Sequence, residues 1–308
     1  MKLRAWNSFY YRFVDLESVI GVALAILSAA TSAISVVLVR KVSNQSSTFN
    51  ISLAISLMGI LVLWPLALIL TDFSVVNIAS ILLFGLSGVF TPGFVRLLYY
   101  QGMRKLGAPI NSSQFSIYPL YTSFLAILFL SEILAPGNWI GILMVFLGGI
   151  LVEWSARAAN SGIKHSRKDH IYPIIGGVTL AAGIILRKYA LTLFDAPVLG
   201  VSVAYTASLL PFLFMFVFST STRKELSLKR DIRLFWVAGV GQAITWMLSF
   251  YALSFDNVYV ITPLLSIEPV FVAIFAILYL RKIERVSQRL IISIVLTVLG
   301  VVLVTAKF

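Results

Sequence analysis

The chain has 308 residues, 59% of them hydrophobic and 12% charged, and it contains no cysteine; its mean hydropathy is +0.97. A soluble protein carries about 25% charged residues, so this composition belongs in lipid, and without cysteine neither disulfides nor thiolate metal sites can form. The net charge of +12 does not point to nucleic acid, because lysine and arginine gather at span ends and in short loops, where they orient a membrane protein and meet anionic head groups.

Taking about 20 apolar residues as one crossing, the sequence predicts an all-α membrane protein with ten transmembrane helices, at 19–39, 51–70, 78–101, 109–131, 137–155, 171–190, 196–219, 234–253, 258–280 and 288–306. The N-terminal segment 1–18 carries Lys2, Arg4, Arg12, Asp15 and Glu17 and does not read as a cleavable leader. Span 1 is rich in small residues, among them Ser28, Ala29, Ser32 and Ser35, which let a neighbouring helix approach closely. In span 3, Arg96 lies four to five residues from the predicted helix end. Its stem either snorkels to the interface or turns inward, as a partner for Glu268 or for an anionic group of a solute.

Span 4 carries Asn111, Gln114, Tyr118 and Tyr121 at intervals of three, four and three, which keeps them on one helical face, and Pro119 follows Tyr118. The glycines of span 5 (Gly137, Gly141, Gly148 and Gly149) read as close packing or a homodimer contact. Span 8 supplies Gln242 and Trp246, one turn apart. Span 9 holds Glu268 close to its midpoint, followed at once by Pro269, whose ring removes a backbone donor and loosens the helix there. A carboxylate at that depth costs about 2.5–3.5 kcal/mol on insertion scales, so it normally faces a polar cavity or a partner. Trp64, Trp139, Trp154 and Trp236 fall where an interfacial belt is expected.

The chain repeats itself. Leu38-Val39-Arg40-Lys41 matches Ile185-Leu186-Arg187-Lys188 at an offset of 147, Pro65 matches Pro211 at 146, and Tyr118-Pro119 matches Glu268-Pro269 at 150. The polar connection 156–170 separates a first five-helix repeat, 19–155, from a second, 171–308. Five crossings per copy is an odd number, so the two repeats are inverted in the membrane, a construction that puts binding sites near the midplane of secondary transporters. Connections after spans 1, 3, 5, 7 and 9 hold seventeen lysines and arginines, against six on the other side, with Arg187 and Lys188 counted among the six. The positive-inside rule then predicts external termini.

Signatures of catalysis are missing, and the chain is not expected to be an enzyme. His165 and His170, the two histidines, lack the spacing of a zinc protease, and no glycine-rich loop followed by Lys-Ser or Lys-Thr offers a phosphate cradle. No cofactor or metal is expected.

The run Arg96-Leu-Leu-Tyr-Tyr-Gln-Gly-Met-Arg-Lys-Leu-Gly-Ala108, with Tyr118-Pro119, Leu130-Ser-Glu132 and Trp139-Ile-Gly141, resembles the first repeat of the drug/metabolite transporter superfamily, more narrowly its ten-helix EamA-type transporters. The second repeat follows through Phe250-Tyr-Ala-Leu253, Glu268-Pro269 and Gly300. The resemblance implies a transporter of small metabolites, often an exporter of amino acids or related compounds and in some cases proton-coupled. It also implies a cavity between the five-helix halves, with spans 5 and 10 toward the outside. Two departures stand out: Lys282 occupies the position that Glu132 has in repeat one, and the family usually keeps both termini in the cytoplasm.

Residues and resemblance together lead to a secondary transporter of a small polar metabolite, working in the cell membrane by alternating access, with protons as a coupling ion. Substrate contacts are expected from Glu268, Tyr118, Gln114, Arg96, Trp246, Asn111 and Gln242, and hinges at Pro119 and Pro269. Expected partners are the metabolite, the lipid bilayer and a second copy of the chain. A passive facilitator or channel and a non-transporting membrane scaffold are the alternatives.

Overall fold

The computed structural model describes residues 2–115, 117–159, 166–220, 223, 226–279 and 288–305. They are helical in ten crossings, with no strand among them. Span 1 is Lys2–Val42, span 2 Thr48–Leu70, span 5 Pro136–Ala159, span 6 Ile171–Leu193, span 8 Leu228–Phe255 and span 10 Gln288–Thr305. The other four are interrupted. Span 3 runs as Ile78–Gly88 and Val95–Leu106, span 4 as Ala108–Phe115 and Tyr118–Leu130, span 7 as Pro197–Ala207 and Leu209–Phe218, and span 9 as Val258–Leu265 and Glu268–Tyr279. Six spans are long and apolar enough by themselves to cross a membrane, and spans 4, 5, 9 and 10 contain shorter apolar helices.

Local chemistry sets the ends. Ser47 and Asn77 cap spans 2 and 3 by accepting from Asn50 N (3.3 Å) and Ser80 N (3.2 Å). Gly107, at φ +84°, closes span 3 in a conformation that a β-carbon would resist. Pro197 opens span 7, where its missing N–H would have had no helical partner. Between Gly88 and Val95 the chain leaves helical geometry at Thr91 (φ −145°, ψ 111°).

The outer surface is apolar, as Ile69, Leu82 and Phe218 illustrate with exposures of 78%, 68% and 74%. The interior holds buried serines and threonines, including Ser32, Ser56, Thr122 and Ser208. This inverts the pattern of a soluble protein and matches lipid as the solvent.

Packing does not follow the two sequence halves. Span 1 lies against spans 8 and 9, and span 8 also against span 2; in the same way span 6 lies against spans 3 and 4, and span 3 against span 7. Exchanging span n with span n + 5 maps one set of neighbours onto the other, as an inverted duplication requires. The bodies in space are therefore spans 1, 2, 8 and 9 and spans 3, 4, 6 and 7, each drawn from both repeats. Spans 5 and 10 pack on each other beside them.

Several expectations change. The helix of span 1 starts at Lys2, so no backbone break separates residues 2–18 from it. Arg187 and Lys188 lie within span 6 and are not connection charges. Of the two readings of the span 5 glycines, close packing is the one seen at Gly141, where a β-carbon would stand 2.7 Å from the Gly300 carbonyl oxygen. Lys282 and the Trp154 side chain lie outside the described residues, as does part of the 156–170 connection.

On the side of the N-terminus, the turn between spans 8 and 9 is gripped from the opposite body. Glu132 accepts from Val258 N (2.8 Å) and Tyr259 N (3.1 Å), capping span 9, while Lys188 Nζ donates to the Leu253 and Asp256 carbonyls (2.7 and 2.9 Å), capping span 8. Ser18 of span 1 donates to Asp256 Oδ2 at 2.5 Å. Burial raises the Glu132 carboxyl above the usual carboxylate range, with the two backbone N–H groups pulling the other way.

Two stability predictions follow from this packing. A β-carbon at Gly88 would sit 2.2–2.6 Å from the backbone of Ala204, whereas at Gly85 the nearest atoms are 4.0 Å away. Gly88→Ala should lower the melting temperature in detergent through roughly 1–3 kcal/mol of overpacking, and Gly85→Ala should leave it unchanged or slightly raised; equal responses would contradict the close approach. Glu132→Ala should cost roughly 0.5–2 kcal/mol as a lost helix cap, read in the same melt, and Glu132→Gln should lose less. No change in the alanine variant would remove the cap from the account.

Candidate functional site

Spans 4 and 9 break at equivalent points, and the breaks build the site. In span 4, Ile117 N bonds Gln114 O (3.3 Å) and Leu120 N bonds Ile117 O (3.0 Å); in span 9, Ile267 N bonds Leu264 O (3.4 Å) and Val270 N bonds Ile267 O (2.9 Å). The same turn thus recurs 150 residues later. Each second helix begins with the polar residue of the aligned pair, Tyr118 or Glu268, and has proline next, where no N–H is needed. Glu268 therefore stands at a helix N-terminus, whose partial positive charge favours an anion.

Between the two bodies lies a cavity of about 120 Å³, lined from spans 1, 3, 4, 6, 8 and 9. Glu268 lines it, with Oε2 accepting from Ser32 (2.6 Å) and Oε1 from the Tyr99 hydroxyl (2.8 Å). Ser32 belongs to the same body as Glu268 and Tyr99 to the other, so one carboxylate bridges the interface. Neither Arg96 nor Arg187 makes an ion pair with it. The Tyr99 ring meets Phe115 edge-on, with centroids 5.1 Å apart, and Phe115 tilts against Tyr118 at 6.1 Å, forming an aromatic wall. Tyr118 donates to Thr262 O at 3.0 Å, joining one broken span to the other.

Two arginines supply positive charge. Arg96 is 5% exposed; its Nη1 donates to Ser56, its guanidinium lies over the Tyr205 ring (4.9 Å), and its Nη2 has no hydrogen-bond partner. It sits ten residues, about 15 Å, before the end of its helix at Leu106. The span runs further than the sequence suggested, so Arg96 does not snorkel. Arg187 is 1% exposed and also lines the cavity. Its Nη1 donates to Ser249 (3.4 Å), and the guanidinium lies 4.7 Å from the Trp246 ring centre and 4.2 Å from that of Phe250. Its Nε and Nη2 have no hydrogen-bond partner.

Of the residues expected from sequence, Glu268, Tyr118, Arg96, Trp246 and Gln242 line the cavity. Gln242 accepts from the Trp246 indole N–H at 3.3 Å, which leaves that ring oriented toward Arg187. Asn111 and Gln114 do not line it. Asn111 is buried between spans 3 and 4, donating to Tyr99 O (3.0 Å), and Gln114 hydrogen-bonds His170 Nδ1 at 2.6–2.9 Å. Both leave the expected stripe, which assumed one continuous helix, whereas the helical run is interrupted at Ile117 before Tyr118. Sequence reasoning missed Arg187, Ser32 and Tyr99. For Arg187 the signal was present: span 6 continues through Tyr189 to Leu193, too far for an end-of-helix charge. Among the described residues no cluster of histidine and carboxylate side chains could hold a metal.

Comparison with known proteins agrees with this architecture. The EamA-like transporter family matches at residues 19–154 and again at 169–306, one match for each repeat. An uncharacterised transporter of Archaeoglobus fulgidus is 26% identical over 268 residues, covering 86% of this chain and 90% of that protein. A solved crystal structure superposes with a TM-score of 0.66 at 15% identity, over 94% of this chain and 98% of the other, and shares the fold. With both repeats matched and ten crossings around a polar cavity, the chain is a multi-pass membrane transporter that belongs to the EamA-like transporter family.

Proposed function

We propose that this protein is a secondary transporter that exports a small polar metabolite, an amino acid or a related compound, across the plasma membrane by alternating access, with protons as the coupling ion. The observation that carries the reading is the position of Glu268, an acid at a helix break in a cavity, held by two hydroxyls and no cation. Such a group gains or loses a proton without breaking a permanent ion pair. A solute ammonium reaching it replaces the Tyr99 hydroxyl, which belongs to the opposite body, so binding loosens one contact between the bodies. Export as the direction is taken from the family resemblance.

The moving parts are the two four-span bodies, not the sequence halves. Pro119 and Pro269 mark the hinges, because the helices they begin are already interrupted at those points. The cavity volume of about 120 Å³ is close to the roughly 150 Å³ of an engineered cavity that takes benzene. That size favours a metabolite over a bulky drug.

Glu268→Gln should abolish proton-driven flux in proteoliposomes while the protein remains folded and inserted. Flux with an unchanged pH dependence would discard the role of Glu268, and saturable flux indifferent to any gradient would mark facilitated diffusion. Tyr99→Phe keeps the ring against Phe115 but removes the O–H, so the ratio of flux with and without a pH gradient should fall. An unchanged ratio would take Tyr99 out of the coupling.

A further inference from the structure

We propose that the free edge of the Arg187 guanidinium is an anion subsite of the central cavity, and that it takes the carboxylate of a solute whose ammonium group lies toward Glu268. The inference rests on the transport reading above and names the group that holds the other end of the solute.

A guanidinium is planar and offers its donors in fixed directions. Nε–H and one N–H of Nη2 point the same way and form a two-point edge that matches the two oxygens of a carboxylate. In Arg187 the remaining nitrogen, Nη1, is bonded to Ser249. The two nitrogens without a hydrogen-bond partner are Nε and Nη2, the members of that edge. The side chain is 1% exposed and lines the cavity. The Trp246 and Phe250 rings against the guanidinium hold its plane, so the edge is oriented before a ligand arrives. A buried cation with at least three of its five N–H donors unused is costly unless an anion completes it.

Charge narrows the ligand. A simple carboxylate would enter a cavity that also holds Glu268, and a simple amine would meet Arg187 and Arg96. A zwitterion satisfies both ends. Tyr118 lines the same cavity as Glu268 and Arg187, with its hydroxyl donating to the Thr262 carbonyl. Phosphate presents a similar pair of oxygens, so the test separates the two anions.

The test uses the full chain in phospholipid-free detergent and reads thermal stabilisation. Probes are the twenty standard L-amino acids, their C-terminal amides and inorganic phosphate. At least one amino acid should raise the melting temperature of the wild type while its amide does not. Arg187→Gln should weaken that ligand about tenfold to a hundredfold, as expected for lost hydrogen bonds to a charged group. Arg187→Lys should recover only part, because an ammonium lacks the two-point edge. The proposal is overturned if amides stabilise as well as acids, if Arg187→Gln binds like the wild type, if phosphate alone is active, or if no probe stabilises the wild type. Should Arg187→Gln fail to fold, the acid–amide comparison and Arg187→Lys decide. Glu268→Gln is measured alongside: if it keeps proton-driven flux while the Arg187 results hold, the coupling role falls and the anion subsite stands. The converse result removes the subsite and leaves the coupling role.

Discussion

A carboxylate far from either membrane surface has to be solvated by the protein, and much of this architecture follows from how that is done. Breaking span 9 beside Glu268 exposes the first N–H groups of a new helix and gives the acid a favourable dipole end. Ser32 and Tyr99 then supply hydroxyl donors, one from each side of the cavity. Because the carboxylate is held by hydroxyls and not by a cation, its charge stays available to a proton or a solute. A permanent bond to Arg96 would have made the same residue a fixed structural pin.

The duplication explains why a break occurs twice. Both repeats carry the turn, the following polar residue and the proline, yet one copy has Tyr118 where the other has Glu268. Tyr118 anchors span 4 to the Thr262 carbonyl, so one break is tied down while the other presents its charge. Symmetry supplies the scaffold, and divergence within it supplies the chemistry. Spans 3 and 7 add a second, unsymmetrical irregularity, where Gly93 lies against Ser208 and Pro211 at the break in span 7.

Interleaving of the repeats has a mechanical consequence. If each half packed as its own bundle, the 156–170 connection would join the two bodies. Instead each body takes two spans from each repeat, and the connections between spans 2 and 3 and between spans 7 and 8 become links between bodies. The contacts crossing the interface differ in kind along its depth. Near the N-terminal side Glu132 and Lys188 cap the helices of the opposite body, and at the cavity single hydroxyls meet Glu268, Arg96 and Arg187.

The ten crossings, the inverted duplication and the acid beside a proline within span 9 were all legible in the linear chain. Hydropathy follows from lipid as solvent, parity follows from counting, and an isolated intramembrane acid stands out against apolar neighbours. Span ends were less legible: Arg96 looked close to an interface because the polar residues before Gly107 resemble a loop, although they continue the helix. The stripe through Asn111 and Gln114 assumed an unbroken helix, but the interruption at Ile117 separates them from Tyr118, and they do not line the cavity. Which spans share a body, which hydroxyls solvate Glu268 and which edge of Arg187 is left free came only from the tertiary structure. These depend on contacts between residues 60 to more than 230 positions apart, such as Arg187 with Ser249 and Ser32 with Glu268. Such pairings are set by how helices pack across the bundle, and periodicity within one helix carries no record of them.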